Sequence, residues 1–256
     1  MPRLQMTRAA ALFFALAGTD AICQIGAPGA PSTQVEKQWK LGRRAANDLE
    51  KRDGSINDAA ILGYLQHLAD SLTATAGVRP IQVRVTRSTG DYAVLLPNRD
   101  LYISAGLLNS IQSEAELAGL LAHELAHLTQ AHQRPPFRPC VLASDLAPSR
   151  PEDLREAEQQ ATASAISHLT AAAYDPAGVL DLLSKLAYAH PVWAKAIAPE
   201  DLLDLRARLE LQTIPQTGYR IDSSAYLQFH NTLEGMLKNA ANGPTLALRP
   251  AGPPRR

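Results

Sequence analysis

The spacing of apolar residues changes period along the chain, and each change marks a different element. Over residues 36–76 apolar positions recur every three or four residues, with a break at Asp53-Gly54, which predicts two amphipathic helices. The second carries Ile61, Tyr64, Leu65, Leu68 and Leu72 on one face. After Pro80 the period drops to two: Ile81, Val83 and Val85 alternate with Gln82, Arg84 and Thr86, as in a strand with one buried face. Residues 92–96 and 101–105 read as two further short strands, joined by Pro97-Asn98-Arg99-Asp100, which has the composition of a turn.

Helical spacing returns at Ser113, which forms a Ser-x-x-Glu capping box with Glu116, and continues through Leu117, Leu120, Leu121, Leu125 and Leu128. These leucines cover more than one face, so this helix is expected to be buried. Residues 133–149, with four prolines, break the pattern before a long helix over 151–173. Further helices are expected over 177–187, 199–211 and 224–239. The expected fold is α+β and mostly helical, with a small, partly antiparallel sheet ahead of the buried helix.

The chain has 256 residues, 46% hydrophobic and 20% charged, enough for one globular domain with a core of its own. Its 25 basic and 25 acidic side chains cancel, so no overall field recruits nucleic acid or an anionic membrane. Arg3 and Arg8 precede an apolar run over residues 9–18, and Ala21 and Cys23 stand at the −3 and −1 places of a cleavage site after Cys23. The expected organisation is a signal peptide over 1–23, a Gly/Pro/Ser-rich linker over 24–35, a main domain over 36–212, a helical extension over 213–242 and a disordered Pro/Arg-rich tail over 243–256. Export to the periplasm or medium follows, with an uncleaved N-terminal anchor as the alternative. Cys23 and Cys140 give no disulfide framework to the mature chain.

The chemistry-bearing motif lies on the buried helix: His123-Glu124-Leu125-Ala126-His127, flanked by Leu121, Ala122 and Leu128. Side chains four apart on a helix share a face, so two imidazoles can converge on one tetrahedral ion. Glu124, next to the first of them, is placed to take a proton from a zinc-activated water and pass it to the leaving amine. Zinc lowers that water's pKa from about 15.7 to about 7 and polarises the scissile carbonyl. A chance copy of the pattern belongs on a charged surface helix, whereas this one sits among leucine and alanine.

A catalytic zinc needs a third protein ligand and an open fourth position. Downstream candidates are Glu152, Glu156, Glu158, His168 and His190. Ala161, Thr162, Ala165, Ile166 and Leu169 share a helical stripe with Glu158, whereas Glu156 shares its face with Gln159, Gln160, Ala163 and Ser167. An acid on an apolar stripe is costly unless paired or metal-bound, which selects Glu158 as ligand and leaves Glu156 to solvent.

With those residues placed, the chain resembles the gluzincin zinc-peptidase family that contains the CAAX prenyl protease, the HtpX-type protease and exported bacterial quality-control members. The resemblance covers residues 36–209, most strongly Pro97-Asn98-Arg99-Asp100-Leu101-Tyr102-Ile103-Ser104-Ala105-Gly106-Leu107-Leu108, Ser113-Glu114-Ala115-Glu116-Leu117-Ala118 and the His-Glu-x-x-His run, closed by His132. Ala173-Tyr174-Asp175-Pro176 is similar to the family's Gly-Tyr/Phe-Asp-Pro element, and counting back from it also places the ligand on Glu158. The resemblance implies one zinc per chain and a sheet whose edge strand, residues 92–96 here, holds extended substrate by main-chain pairing; a plain core strand is the competing reading. It also implies that His190, in His190-Pro191, approaches the metal or steadies the transition state; a structural histidine is the competing reading.

The chain departs from the family at Thr162, where an aspartate usually stands four residues after the ligand glutamate, and in the short, Pro-rich connection between the two metal helices. The function expected is a zinc endopeptidase acting on extended or misfolded polypeptides outside the cytoplasm, in association with the envelope membrane or assembly machinery. A degenerate zinc-binding member acting as a chaperone-like or binding factor is the alternative. Substrate specificity and oligomeric state are not legible in the sequence.

Overall fold

A computed structural model describes residues 33–131, 140–142, 151–189, 197–212 and 218–242. The elements are α1 Thr33–Asp53, β1 Ser55–Ile56, α2 Ala59–Ala76, β2 Gln82–Thr86, β3 Ala93–Leu95, β4 Asp100–Ser104, α3 Ala105–Ser110, α4 Glu114–Ala131, β5 Cys140–Leu142, α5 Pro151–Ala171, α6 Ala177–Ala189, α7 Pro199–Gln212 and α8 Ser224–Asn242. The fold is α+β and mostly helical. Residues 1–32, with the expected signal peptide and most of the linker, lie outside the described residues, as do His132, His190 and the 243–256 tail. Among the described residues no helix is long and apolar enough to cross a membrane.

The sheet is mixed, in the order β1-β2-β4-β3-β5. β2 and β4 run parallel, and the other neighbours are antiparallel. Strand alternation divides the side chains cleanly. Val83, Val85, Ala93, Leu95, Leu101 and Ile103 face the main core with α2 and α4. Tyr92, Val94, Leu96 and Tyr102 face the other way and pack against Ala46 of α1. The Tyr102 hydroxyl donates to Glu50 of α1 at 2.7 Å, and that of Tyr92 donates to Asp53, so α1 is fastened over the outer face.

One expectation is corrected. Strand β3, within the 92–96 segment expected at the edge, is interior, because Cys140–Leu142 from the connection between the metal helices pairs along its free side, Val94 opposite Val141. The main-chain groups that an extended peptide would use on β3 are taken by the chain itself.

Helix α4 passes through the core with Leu117, Leu120, Leu121, Leu125 and Leu128 buried. Its start follows the capping signal with a variation: Ser113 Oγ accepts the Glu116 N–H at 3.1 Å, while Glu116 Oε2 accepts the Gln112 N–H at 2.9 Å and pairs with Lys185 of α6. α4 meets α6 through two glycines. A Cβ on Gly119 would lie 2.7 Å from Val179 Cα, and one on Gly178 would lie 2.4 Å from the Ala115 carbonyl oxygen, so the backbones touch where these glycines stand. On its other side α4 packs on α5, where Ala161 and Ala165 are fully buried. Small residues thus bring three helices together around the middle of α4.

Candidate metal centre

His123 and His127 stand one turn apart on α4, with ring centroids separated by 4.7 Å. Their Nε2 atoms are 3.0 Å apart, and Glu158 Oε2 from α5 lies 3.0 Å from the first and 3.3 Å from the second. The closeness of α4 and α5, set by the alanines around Glu158, is what lets these three atoms meet. Donors on one tetrahedral zinc with bonds near 2.0–2.2 Å are about 3.3–3.5 Å apart, so this set is within a few tenths of an ångström of a zinc cage. The three residues could hold a metal ion. His123 is sealed, at 1% side-chain exposure, whereas His127 and Glu158 keep 11% and 13%, so solvent reaches the centre from the His127 and Glu158 side.

The electrostatics follow from burial and proximity. Desolvation lowers the His123 pKa. Desolvation also works against protonation of His127, but the Glu158 carboxylate outweighs it and raises that pKa. Glu158 is desolvated too, yet the two imidazoles hold it well below the ordinary carboxylate range. Glu124 is different. It is fully buried, neither carboxylate oxygen has a hydrogen-bond partner among the described residues, and desolvation pushes its pKa up to about 8. An orphaned buried carboxylate is costly, and the ready explanation is a group at the centre that it is built to address.

The other acids and histidines considered as ligands lie elsewhere. Glu156 is exposed and accepts from Gln160 Nε2 at 2.9 Å, one turn along the outer face. His168 lies beside the Ala122 backbone, burial lowers its pKa, and it is not one of the three convergent donors. The Glu152 side chain and His190 fall outside the described residues. The sequence marks Thr162 only as a missing carboxylate. In the structure it is buried, its hydroxyl donates to the Glu158 carbonyl at 2.7 Å, and the same oxygen is 3.4 Å from His123 Nδ1. The signal for this was its place one turn after Glu158, on the stripe facing α4.

Residues 60–137 match the family model described as "Peptidase family M48". The match takes in β2, β3, β4 and the α4 motif but ends before β5 and Glu158, so that ligand stands on geometry and helix phase. A Vibrio cholerae serotype O1 protein named "Putative beta-barrel assembly-enhancing protease" is 25% identical over 226 residues, which cover 88% of this chain and 43% of that protein. The chain therefore spans less than half the length of this relative.

Proposed function

Because the chain is an HExxH metallopeptidase of peptidase family M48, we propose that it is a zinc-dependent endopeptidase cleaving extended or misfolded polypeptides outside the cytoplasm. The observation that carries the reading is the orphaned Glu124 beside three convergent donors: a carboxylate kept buried without a partner is placed for proton transfer. His123, His127 and Glu158 would hold zinc, which supplies Lewis acidity to the scissile carbonyl and makes a water acidic near neutral pH. Glu124 accepts the proton of the attacking water and returns it to the leaving amine. The half-open His127 and Glu158 side gives the substrate its approach. His190, which lies outside the described residues, is kept as a group that approaches the metal or steadies the transition state, with a structural histidine as the competing reading.

Export rests on the residue order of 1–23, and a link to envelope assembly rests on the name of the Vibrio cholerae relative. The purified mature chain should carry one zinc and cleave unfolded casein, and Glu124→Gln should keep the zinc and lose about 10²–10⁴-fold in rate. Stoichiometric zinc with no cleavage of casein or of a peptide library would sink the enzyme and favour a zinc-bearing binding factor, the reading that Thr162 suggests. N-terminal sequencing of exported protein tests cleavage after Cys23 against a retained anchor.

A further inference from the structure

We propose that Thr162 is the positioning residue of the metal centre, its one hydroxyl setting the tautomer of His123 and the placement of Glu158 together. The inference rests on the zinc site proposed above. For His123 to present Nε2 to an ion, its proton must sit on Nδ1, and a buried Nδ1–H needs an acceptor. Among the described residues the hydrogen-bond partner of Nδ1 is Thr162 Oγ1, at 3.4 Å. The hydroxyl hydrogen is committed elsewhere, to the Glu158 carbonyl at 2.7 Å. The oxygen therefore has lone pairs and no proton to offer the imidazole, which forces the sense of the bond: Nδ1–H donates and Thr162 accepts.

Two consequences follow from this geometry. First, the hydroxyl is anchored to the backbone of Glu158, so the imidazole of one ligand is oriented from the turn that carries another, and the α4–α5 spacing is fixed at the site itself. Second, the outer partner is neutral. Two imidazoles, one carboxylate and a dication sum to one positive charge, and Thr162 leaves that charge standing where an aspartate would cancel it. A neutral acceptor at 3.4 Å also holds His123 less firmly than a carboxylate would, and so trades tightness of metal binding for a more strongly polarising centre.

The test measures zinc affinity of the full chain against a competing chelator, beside the thermal melt of the chelator-stripped protein. Thr162→Val, which keeps the bulk and removes the acceptor, is expected to weaken zinc binding about 10-fold. Thr162→Ser, which keeps the hydroxyl, is expected to stay within about twofold of wild type, and both melts should remain cooperative. Unchanged affinity in Thr162→Val overturns the proposal, and so does an equal loss in Thr162→Ser, which would assign the effect to the methyl group. Should the valine variant not fold, Thr162→Ala against Thr162→Ser makes the same comparison. A wild-type chain that takes up no zinc overturns the zinc site as a whole, a failure distinguishable from intact zinc binding that ignores Thr162.

Discussion

Among the described residues both oxygens of Glu124 are buried without a partner and the group's pKa is pushed to about 8, so the side chain proposed as general base works against stability in the metal-free protein. The sign can be worked out. The unfolded carboxyl loses its proton near its ordinary value of 4.5, and the folded one keeps it until about 8. Stability from this group is thus fully present below the unfolded value and is lost as pH rises through the folded one. With zinc stripped by chelator, Glu124→Gln should be the more stable chain at pH 8, by about 1–3 kcal/mol in denaturant titration. The gap should close toward pH 5, and a gap that is flat with pH would remove desolvation as its cause. The choice between the two nearby acids is checked as directly. Glu158→Gln should lose zinc by elemental analysis, and Glu156→Gln, whose parent side chain is exposed and faces Gln160, should keep it.

At the level of elements, periodicity was a good guide wherever an element was long enough to show it. The helices around the site and strands β2, β3 and β4 stand close to where apolar spacing puts them. The two-residue β1 and the six-residue α3 are too short to display a period, and β5 is formed by pairing with β3 from a Pro-rich stretch whose own sequence gives no alternation. The end of α5 shows a finer point. The Tyr174 N–H bonds the Leu169 carbonyl at 3.0 Å and the Ala173 N–H bonds that of Thr170 at 3.2 Å, the double bond of a glycine-type helix stop, yet the left-handed residue, at φ 57°, is Ala173. The resembled family has glycine there. Ala173→Gly should therefore stabilise the chain by about 1 kcal/mol, read as a raised denaturant midpoint with unchanged slope. Gly119→Ala should do the reverse. Its Cβ would meet the Val179 backbone at 2.7 Å, one turn before His123, so about 1–3 kcal/mol of stability should go, and zinc affinity with it.

Across the whole molecule, the start of the metal helix is tied to the segment after α7. The Glu114 N–H donates to Asp222 Oδ1 at 2.9 Å, and the Ala115 N–H donates to the Ile221 carbonyl at 3.0 Å, so residues 221–222 cap α4 from outside it. Tyr64 of α2 donates to Glu114 Oε1 at 2.9 Å, the Tyr174 hydroxyl reaches the same oxygen at 3.3 Å, and Arg220 donates to Tyr174 at 2.9 Å. Behind this network Tyr226, Phe229 and Leu233 of α8 are buried in the same core as α2 and α4, with Phe229 stacked on Tyr64 at 4.7 Å between centroids. The sequence presents residues 213–242 as an appended helix, because nothing in its spacing says which surface it covers. Removing it would take three large side chains out of the core and leave two amides at the head of α4 without acceptors. Large-to-small truncation at one such site costs about 3–5 kcal/mol, and a domain's whole stability is about 5–15 kcal/mol. A chain ending at Gln212 should thus show no cooperative melt and no stoichiometric zinc, and Phe229→Ala alone should cost about 3–5 kcal/mol by denaturant titration. A truncated chain that melts cooperatively and holds zinc would make α8 a separable appendage, and the caps on α4 dispensable to the site.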